Sequence, residues 1–219
     1  NALIREKHPD GIGFNDANDL GREYAGVSSV VRGLYNDWYA NRNNRNKPSP
    51  APSNPQGGYY NPQAAAEAKA RADEIAKQYA LAPYSIFVGS GALWGETVLF
   101  SMCILEEMQW VRTRAVSSPD FFHGTLELVE KDVPVFLFKG EDECRKLDNR
   151  VEAFAKRFTD NLVVVDTAEY AIDGLDPEFR FIVSPMILTA LVTERLASYY
   201  ETYTKHNLAY RRYYRQFEY

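Results

Sequence analysis

The sequence predicts an α/β fold: a doubly wound, mainly parallel sheet of five strands, flanked by helices and preceded by a helical pair. Beyond residue 83, short apolar runs alternate with helical patterns, as they do in right-handed βαβ units. Two of these runs, PVFLF at 134–138 and NLVVV at 161–165, are almost continuously apolar. Such runs are typical of strands that are buried on both faces of a parallel sheet.

The elements of the predicted sheet follow in order along the chain. Strands are expected at 84–88, 112–117, 134–138, 161–165 and 179–183. Helices are expected at about 92–109, 121–131, 142–158 and 185–203. The last helix would begin with Ser184 as its cap and Pro185 at its first helical position.

The segments on either side of this 83–204 domain differ in character. Residues 1–15 are polar and predict a linker, and residues 16–82 predict a pair of helices around a Pro-rich loop at 41–62. That loop is either a surface excursion or a lid. The tail, 205–219, is basic and aromatic, so we expect it to pack onto the domain and complete the active site.

The composition argues against several classes of function. The net charge is −5 with dispersed lysines and arginines, which argues against a nucleic-acid-binding surface. The two cysteines and three histidines show no metal-ligand spacing. No apolar run approaches the roughly 20 residues of a membrane helix, and no signal-peptide pattern is present. We therefore expect a cytoplasmic protein without a membrane partner.

The first candidate for chemistry is the turn Gly89-Ser90-Gly91, which follows a predicted strand and opens a helix. Backbone N–H groups at such a helix start can bind an anion, so these residues are candidates for substrate binding. They do not form a full dinucleotide-binding fingerprint. A tight turn that merely needs glycine would have the same sequence.

The second candidate is the pair Glu106 and Glu107 at the end of the next helix. That helix is apolar on nearly every face from 97 to 108, which predicts burial between the sheet and a second surface, such as another subunit. Partial burial beside Met108 and Trp110 would suit an acid–base catalyst. A solvated pair at a helix end is also compatible with the sequence, and helical register does not choose between the two glutamates.

The third candidate is His123, in the turn Pro119-Asp120-Phe121-Phe122-His123-Gly124. At a helix start its imidazole would stay neutral and could exchange protons. A structural histidine bonded to the backbone is the alternative. Asp120 and Glu127 are its nearest possible partners in the sequence.

Three segments together resemble the second sugar isomerase (SIS) domain of the phosphosugar isomerases. They read GSGxxxG, CILEEMQW and SSPDFFHGTLELVE. The family includes glucosamine-6-phosphate synthase, but the resemblance is closest to the fructosamine-6-phosphate deglycases. Their EMQW and FFHG segments and their chain end RRYxxxxEY are similar to residues 107–110, 121–124 and 211–219. The resemblance covers roughly 16–219 apart from the Pro-rich loop, and it implies a flavodoxin-like fold.

The resemblance also assigns roles to the candidate residues. In this family the matching glutamate moves protons between C1 and C2 of the sugar, which selects Glu107 over Glu106. The matching histidine acts at the ring oxygen or the leaving amine and often reaches in from a neighbouring subunit. For His123 this implies a homodimer or larger homo-oligomer with shared active sites. The chemistry needs no cofactor or metal.

Two departures from the family pattern bear on function. These enzymes normally have two SIS domains, and the first carries a Ser/Thr-rich loop that holds the sugar phosphate. Nothing in this chain resembles that loop, so we expect the chain to be the C-terminal half, inactive in isolation. Where glucosamine synthase has a ring-opening lysine, this chain has Arg215. Arginine cannot form a Schiff base but could bind a carboxylate or phosphate of the substrate, which favours a deglycase.

The resemblance thus predicts half of an enzyme that cleaves a fructosamine 6-phosphate to glucose 6-phosphate and a free amino acid. Glu107 and His123 would supply the acid–base catalysis. One open alternative is an aldose–ketose isomerase or a glucosamine-6-phosphate synthase-like isomerase. The other is a non-catalytic phosphosugar-sensing module. The presence of both side chains favours an enzyme, because a sensor needs neither.

Overall fold

The computed structural model describes residues 62–170 and 175–218. The predicted linker, the first predicted helix and nearly all of the Pro-rich loop lie outside these residues. Pro62, the last residue of that loop in our prediction, is the first residue of helix α1, which spans Pro62–Tyr79. Alanine, glutamate and lysine fill this helix, as its sequence predicted.

A parallel sheet of four strands in the order β2-β1-β3-β4 forms the centre of the described residues. Its strands are β1 Ser85–Gly89, β2 Thr113–Val116, β3 Val135–Lys139 and β4 Leu162–Asp166. All three strand pairings are parallel. The first four predicted strands are therefore confirmed, each within one residue at either end. Every residue of β1 and β3 is buried, since helices cover both faces of the sheet.

The helices connect and cover these strands. Helix α2 spans residues 91–109 and includes a π-helical stretch at Leu99–Glu106. Helices α3, α4 and α5 span Ser118–Phe121, Arg145–Phe158 and Pro177–Thr204. The helix predicted at 121–131 is wrong, because α3 ends at Phe121 and only a short 3₁₀ turn, Thr125–Leu128, lies in the rest of the predicted range.

The fifth predicted strand, 179–183, is wrong: these residues lie in the first turns of α5. The Oδ1 atom of Asp176 accepts a 2.9 Å hydrogen bond from the Glu178 N–H, and Pro177 occupies the first helical position. We had expected Ser184 and Pro185 to form this cap-and-proline helix start, but both residues lie inside the helix. Ile182 is 58% exposed, unlike a residue of a buried strand.

Two separate apolar clusters hold helices on opposite faces of the sheet. On one face, Phe87 stacks on Phe136 at 4.6 Å between ring centres, and Phe100 of α2 and Tyr200 of α5 join them. On the other face, the β1 and β3 side chains that alternate with these pack against α3 and α4. The doubly wound arrangement is thereby confirmed, although the described sheet has four strands and not five.

Helix α5 is long and apolar enough to cross a membrane when judged only by length and composition, with a mean hydropathy of 1.4 over its best window. Our expectation that no apolar segment reaches this length therefore failed. The helix nevertheless contributes buried side chains such as Leu188, Val192 and Leu196 to the larger apolar cluster. These contacts attach one side of the helix to the core, and 28% of its most apolar window is buried.

Candidate active site

The two candidate catalytic residues lie at opposite edges of the sheet. Helix α2 starts after the carboxyl end of β1 and returns to the amino end of β2, so Glu107 near its end lies at the amino edge. His123 follows the carboxyl end of β2 and therefore lies beyond the other edge. The structure does not bring Glu107 and His123 together within one chain.

Glu107 lines an open cavity of about 680 Å³ between the end of α2, the start of β2 and the C-terminal tail. Its Oε1 accepts a 2.8 Å hydrogen bond from Nε of Arg211 in the tail. Glu107 keeps 33% of its side chain exposed, against 18% for Arg211. Glu106 also lines the cavity, but its Oε1 accepts a 2.6 Å hydrogen bond from the Thr113 hydroxyl and so ties α2 to β2. Of the two carboxylates, Glu107 is the one held by the tail.

Trp110 fastens the tail at the same cavity. It ends α2 in the left-handed conformation, with φ of 57°. The guanidinium carbon of Arg212 lies 4.2 Å from the centre of its ring, and the His206 ring centre lies 4.3 Å from it. A cation–π contact at such a partly exposed ring contributes about 0.5–1 kcal/mol. The indole thus fixes the tail next to Glu107.

Gln109, the remaining polar residue of the EMQW segment, also connects the end of α2 to the tail, through hydrogen bonds of its buried side chain. Its Nε2 donates a 2.7 Å hydrogen bond to the carbonyl of His206, and its Oε1 accepts one of 2.7 Å from the Thr204 hydroxyl. Gln109 is 5% exposed, so replacing it would leave buried polar groups without partners. Three of the four EMQW residues therefore bind the end of α5 or the tail.

His123 is presented to solvent by a well-anchored turn. Ser117 caps α3 by accepting a hydrogen bond from the Asp120 N–H, and the His123 N–H donates to the Asp120 carbonyl at 2.9 Å. Phe121 is buried, whereas His123 is exposed. Among the described residues the imidazole has no hydrogen-bond partner, and the Asp120 carboxylate instead accepts from the Ser117 hydroxyl at 2.6 Å. The turn is fixed while its imidazole is free to contact another molecule.

The Gly89-Ser90-Gly91 turn is occupied by groups of the protein itself. The Asp142 Oδ2 accepts a 2.6 Å hydrogen bond from the Ala92 N–H at the start of α2. Ser90 is buried, and its Oγ accepts a 2.7 Å bond from the Ser118 N–H. Gly91 has φ of +56°, which favours glycine. This geometry favours the structural interpretation, and substrate binding at the turn stays a prediction.

Arg215 does not line the cavity beside Glu107. Its guanidinium carbon lies 5.1 Å from the centre of the Tyr214 ring. The neighbouring arginines, Arg211 and Arg212, make the contacts at the cavity, and neither was a candidate in our sequence prediction. The signal for them was present, since both open the chain-end segment RRYxxxxEY on which the resemblance rests.

At the carboxyl edge of the sheet, Asp148 is fully buried in α4. Its Oδ1 accepts a 2.5 Å hydrogen bond from the Ser118 hydroxyl, and its Oδ2 has no partner among the described residues. Burial raises the pKa of Asp148 because desolvation penalises the carboxylate, although the Ser118 bond opposes this shift. Within 62–170 and 175–218, no cluster of three or more His, Cys, Asp or Glu side chains could hold a metal ion.

Comparisons with known proteins identify relatives of the chain. No family model matches the sequence. Fructosamine deglycase FrlB of Bacillus subtilis is 32% identical over 151 residues, a match that covers 68% of this chain and 45% of that protein. Fructoselysine 6-phosphate deglycase of Escherichia coli is 34% identical over 141 residues, covering 64% and 39% of the two chains.

The fold comparison agrees with the sequence comparison. A crystal structure from Bacillus subtilis, provisionally described as a phosphosugar isomerase, matches with a TM-score of 0.68 and 30% identity over 72% of this chain and 48% of that one. The chain thus spans less than half the length of these relatives. It is related in sequence to the fructosamine and fructoselysine 6-phosphate deglycases, and its α/β domain has the fold of the phosphosugar isomerases.

Proposed function

We propose that this chain is the C-terminal half of a deglycase that cleaves a fructosamine 6-phosphate to glucose 6-phosphate and a free amino acid. The observation that carries the proposal is Glu107 itself. This carboxylate lies on an open cavity, is hydrogen-bonded to Arg211, and occupies the position that the resemblance assigns to the proton-transferring glutamate. The names of the relatives, which are deglycases of fructosamines and of fructoselysine 6-phosphate, support the same substrate class.

The proposed reaction is an internal proton transfer followed by hydrolysis. Glu107 removes a proton from C1, which carries the amine, while the C2 carbonyl oxygen takes up a proton, and an enolamine forms. Return of the first proton to C2, with loss of the N–H proton, gives an imine at C1. Water adds to this imine, the carbon–nitrogen bond breaks, and glucose 6-phosphate and the amine leave. Each group that contributes general acid–base catalysis accelerates such a reaction by about 10²–10⁴-fold.

Arg211 prepares Glu107 for this task. A guanidinium keeps its charge at any physiological pH, and its 2.8 Å hydrogen bond holds the Glu107 side chain in position at the cavity. Both side chains remain partly exposed at the cavity, which leaves room for a substrate to approach. The tail would thereby form one wall of the site.

His123 would act in the active site of a neighbouring subunit. Glu107 and His123 lie at opposite edges of the sheet, and the His123 side chain is exposed without a partner among the described residues. In a homodimer or larger homo-oligomer, the turn at 118–124 of one subunit would bring its imidazole to the Glu107 cavity of another. There it would open the sugar ring or protonate the departing nitrogen.

The test is an assay of the full-length protein that carries this chain. It is incubated with fructosamine 6-phosphates of several amino acids, and the formation of glucose 6-phosphate and free amino acid is followed. Equal amounts of both products are expected. If the protein binds these compounds but releases neither product, the deglycase assignment is wrong.

One alternative has a specific observation in its favour. The structural match with a TM-score of 0.68 is to a protein described as a phosphosugar isomerase. An isomerase would use the same glutamate to interconvert an aldose phosphate and a ketose phosphate without releasing an amine. Conversion of fructose 6-phosphate to glucose 6-phosphate at a rate above that of deglycation would favour this alternative.

A further inference from the structure

The cavity beside Glu107 carries more arginines than the ion pairs of the described residues account for. Arg211 is paired with Glu107, and Glu106 accepts from a hydroxyl group. Two further arginines, Arg112 and Arg212, line the same cavity. Within residues 62–170 and 175–218, neither has an acidic partner. The cavity is therefore suited to an anionic group of a ligand.

Arg212 is the better prepared of these two side chains. Its guanidinium carbon lies 4.2 Å from the centre of the Trp110 ring, and Trp110 is itself held by the His206 ring on the tail. Stacking on an aromatic face leaves the N–H groups at the edge of the guanidinium free to donate. These donors match the two oxygens of a carboxylate. Arg212 is thus held in place before any ligand arrives.

The position of the cavity beside Glu107 determines which anionic group of the substrate would bind there. This step rests on the proposed function. A fructosamine 6-phosphate of an amino acid has a phosphate on C6 and a carboxylate on the amino-acid part. Glu107 acts at C1 and C2, and the α-carboxylate is only a few bonds from C1, whereas the phosphate is at the far end of the sugar. The anion nearest to Glu107 is the carboxylate.

We propose that Arg212, assisted by Arg112, is the specificity-determining contact for the α-carboxylate of the amino acid in the substrate. Charge-assisted hydrogen bonds to a guanidinium discriminate strongly against an analogue that lacks the acceptor. The enzyme would then prefer fructosamines formed on an α-amino group. Substrates whose amine carries no nearby carboxylate would be turned over poorly.

The experiment compares two substrates in the full-length protein that carries this chain. One is the fructosamine 6-phosphate of an α-amino acid, and the other is that of the corresponding decarboxylated amine. Arg212→Gln is expected to lower kcat/KM for the first by about 10–100-fold more than for the second, because loss of its contact with Trp110 affects both substrates equally. Arg114→Gln, which replaces an exposed arginine of β2 that does not line the cavity, is the matched control and should change neither. An equal loss on both substrates in Arg212→Gln would overturn the proposal.

A binding measurement separates this proposal from the proposed function. Calorimetric titrations use an unphosphorylated N-fructosyl amino acid and, separately, fructose 6-phosphate, each against the wild-type protein and Arg212→Gln. The expected result is weaker binding of the first ligand only, even if no substrate is turned over. Weaker binding of fructose 6-phosphate alone would identify Arg212 as a phosphate contact and refute the carboxylate assignment.

Discussion

Arg211 Nε lies 2.8 Å from Glu107 Oε1, although the two residues are 104 positions apart in the chain. This hydrogen bond joins the C-terminal tail to the end of α2 at the candidate active site. The position of the tail and the environment of the candidate base therefore depend on each other. A change in one should be measurable in the other.

Replacing the candidate base should remove turnover while leaving substrate binding nearly intact. Glu107→Gln keeps the size of the side chain but cannot take a proton from C1. The expected loss in kcat is at least about 10²-fold in the full-length protein. Glu106→Gln is the matched control, because Glu106 is held by Thr113 and not by the tail. Comparable losses of kcat in the two variants would contradict the assignment of Glu107 as the catalytic base.

Replacing Arg211 should both slow the reaction and release the tail. Arg211→Met deletes the bond to Glu107 and the two bonds that the Arg211 guanidinium donates to the carbonyls of Leu208 and Tyr210. We expect a loss of about tenfold in kcat/KM, together with faster proteolytic cleavage between residues 205 and 218.

The control for this change is Arg211→Lys. It keeps the positive charge but not the planar group that makes three bonds at once, so an intermediate effect is expected. A tail that resists protease in Arg211→Met as well as in the wild-type protein would contradict the anchoring role.

Mixing two inactive variants should restore activity if His123 acts across a subunit contact. Glu107→Gln and His123→Ala are each expected to be inactive in the full-length protein. In a mixed dimer, one of the two shared sites would contain both native residues. With random exchange, half of the dimers are mixed, so about a quarter of the wild-type activity should return. No recovery after proven subunit exchange would show that the two residues do not share a site in this way.

Sequence patterns located β1 and β3 because both strands are buried on both faces and their sequences are therefore almost continuously apolar. The same rule failed at 179–183, where Phe179 and Ile182 are apolar yet exposed on a helix. Local periodicity could not detect this, since a short apolar run fits a strand and a helix equally well. The Asp176-Pro177 start was the deciding signal.

The candidate site was only partly predictable for a related reason. Glu107 could be selected by resemblance. Its contact with Arg211 joins residues 104 positions apart, so it could not be predicted from local residue spacing. Arg215 was chosen because it stands where glucosamine synthase has a ring-opening lysine, whereas Arg211 and Arg212 are the tail arginines that line the cavity. Tail geometry depends on Trp110 and Gln109, whose roles only the folded structure reveals.

Asp148 should make stability fall as pH rises. A solvated aspartate has an ordinary pKa of 3.8, and burial raises the pKa of Asp148 in the folded state. Below pH 3.8 the carboxyl is protonated in both states, so it adds no penalty. As pH rises toward the raised folded pKa, the unfolded state releases its proton while the folded state retains it, which stabilises the unfolded state.

Asp148→Asn cannot ionise, so the free energy of unfolding of this variant relative to the wild-type protein should increase as pH rises from 3.8 towards the raised folded-state pKa of Asp148, by about 1.4 kcal/mol per unit of pKa difference. Urea unfolding at several pH values measures this slope. Ser118→Ala, which keeps the carboxyl, should retain the wild-type direction of pH dependence. A difference between Asp148→Asn and wild type that does not change with pH would show that Asp148 titrates alike in both states.

Alanine substitutions at two glycines of α2 test whether the turn at 89–91 is structural or binds a ligand. A Cβ atom on Gly91 would lie 2.1 Å from Asp142 Oδ2 and would need an unfavourable φ of +56°. A Cβ atom on Gly95 would meet nothing within 4 Å. Gly91→Ala should therefore lower the free energy of unfolding by about 1–3 kcal/mol, whereas Gly95→Ala should raise it by about 0.4–1 kcal/mol.

Urea unfolding of the two variants, together with binding of fructose 6-phosphate to the full-length protein, checks this prediction. If the turn at 89–91 is structural, Gly91→Ala loses stability, and the fraction that stays folded binds fructose 6-phosphate normally. The opposite pattern, wild-type stability with lost binding, would mean that the Ala92 N–H serves a ligand and that Asp142 only takes its place when the ligand is absent.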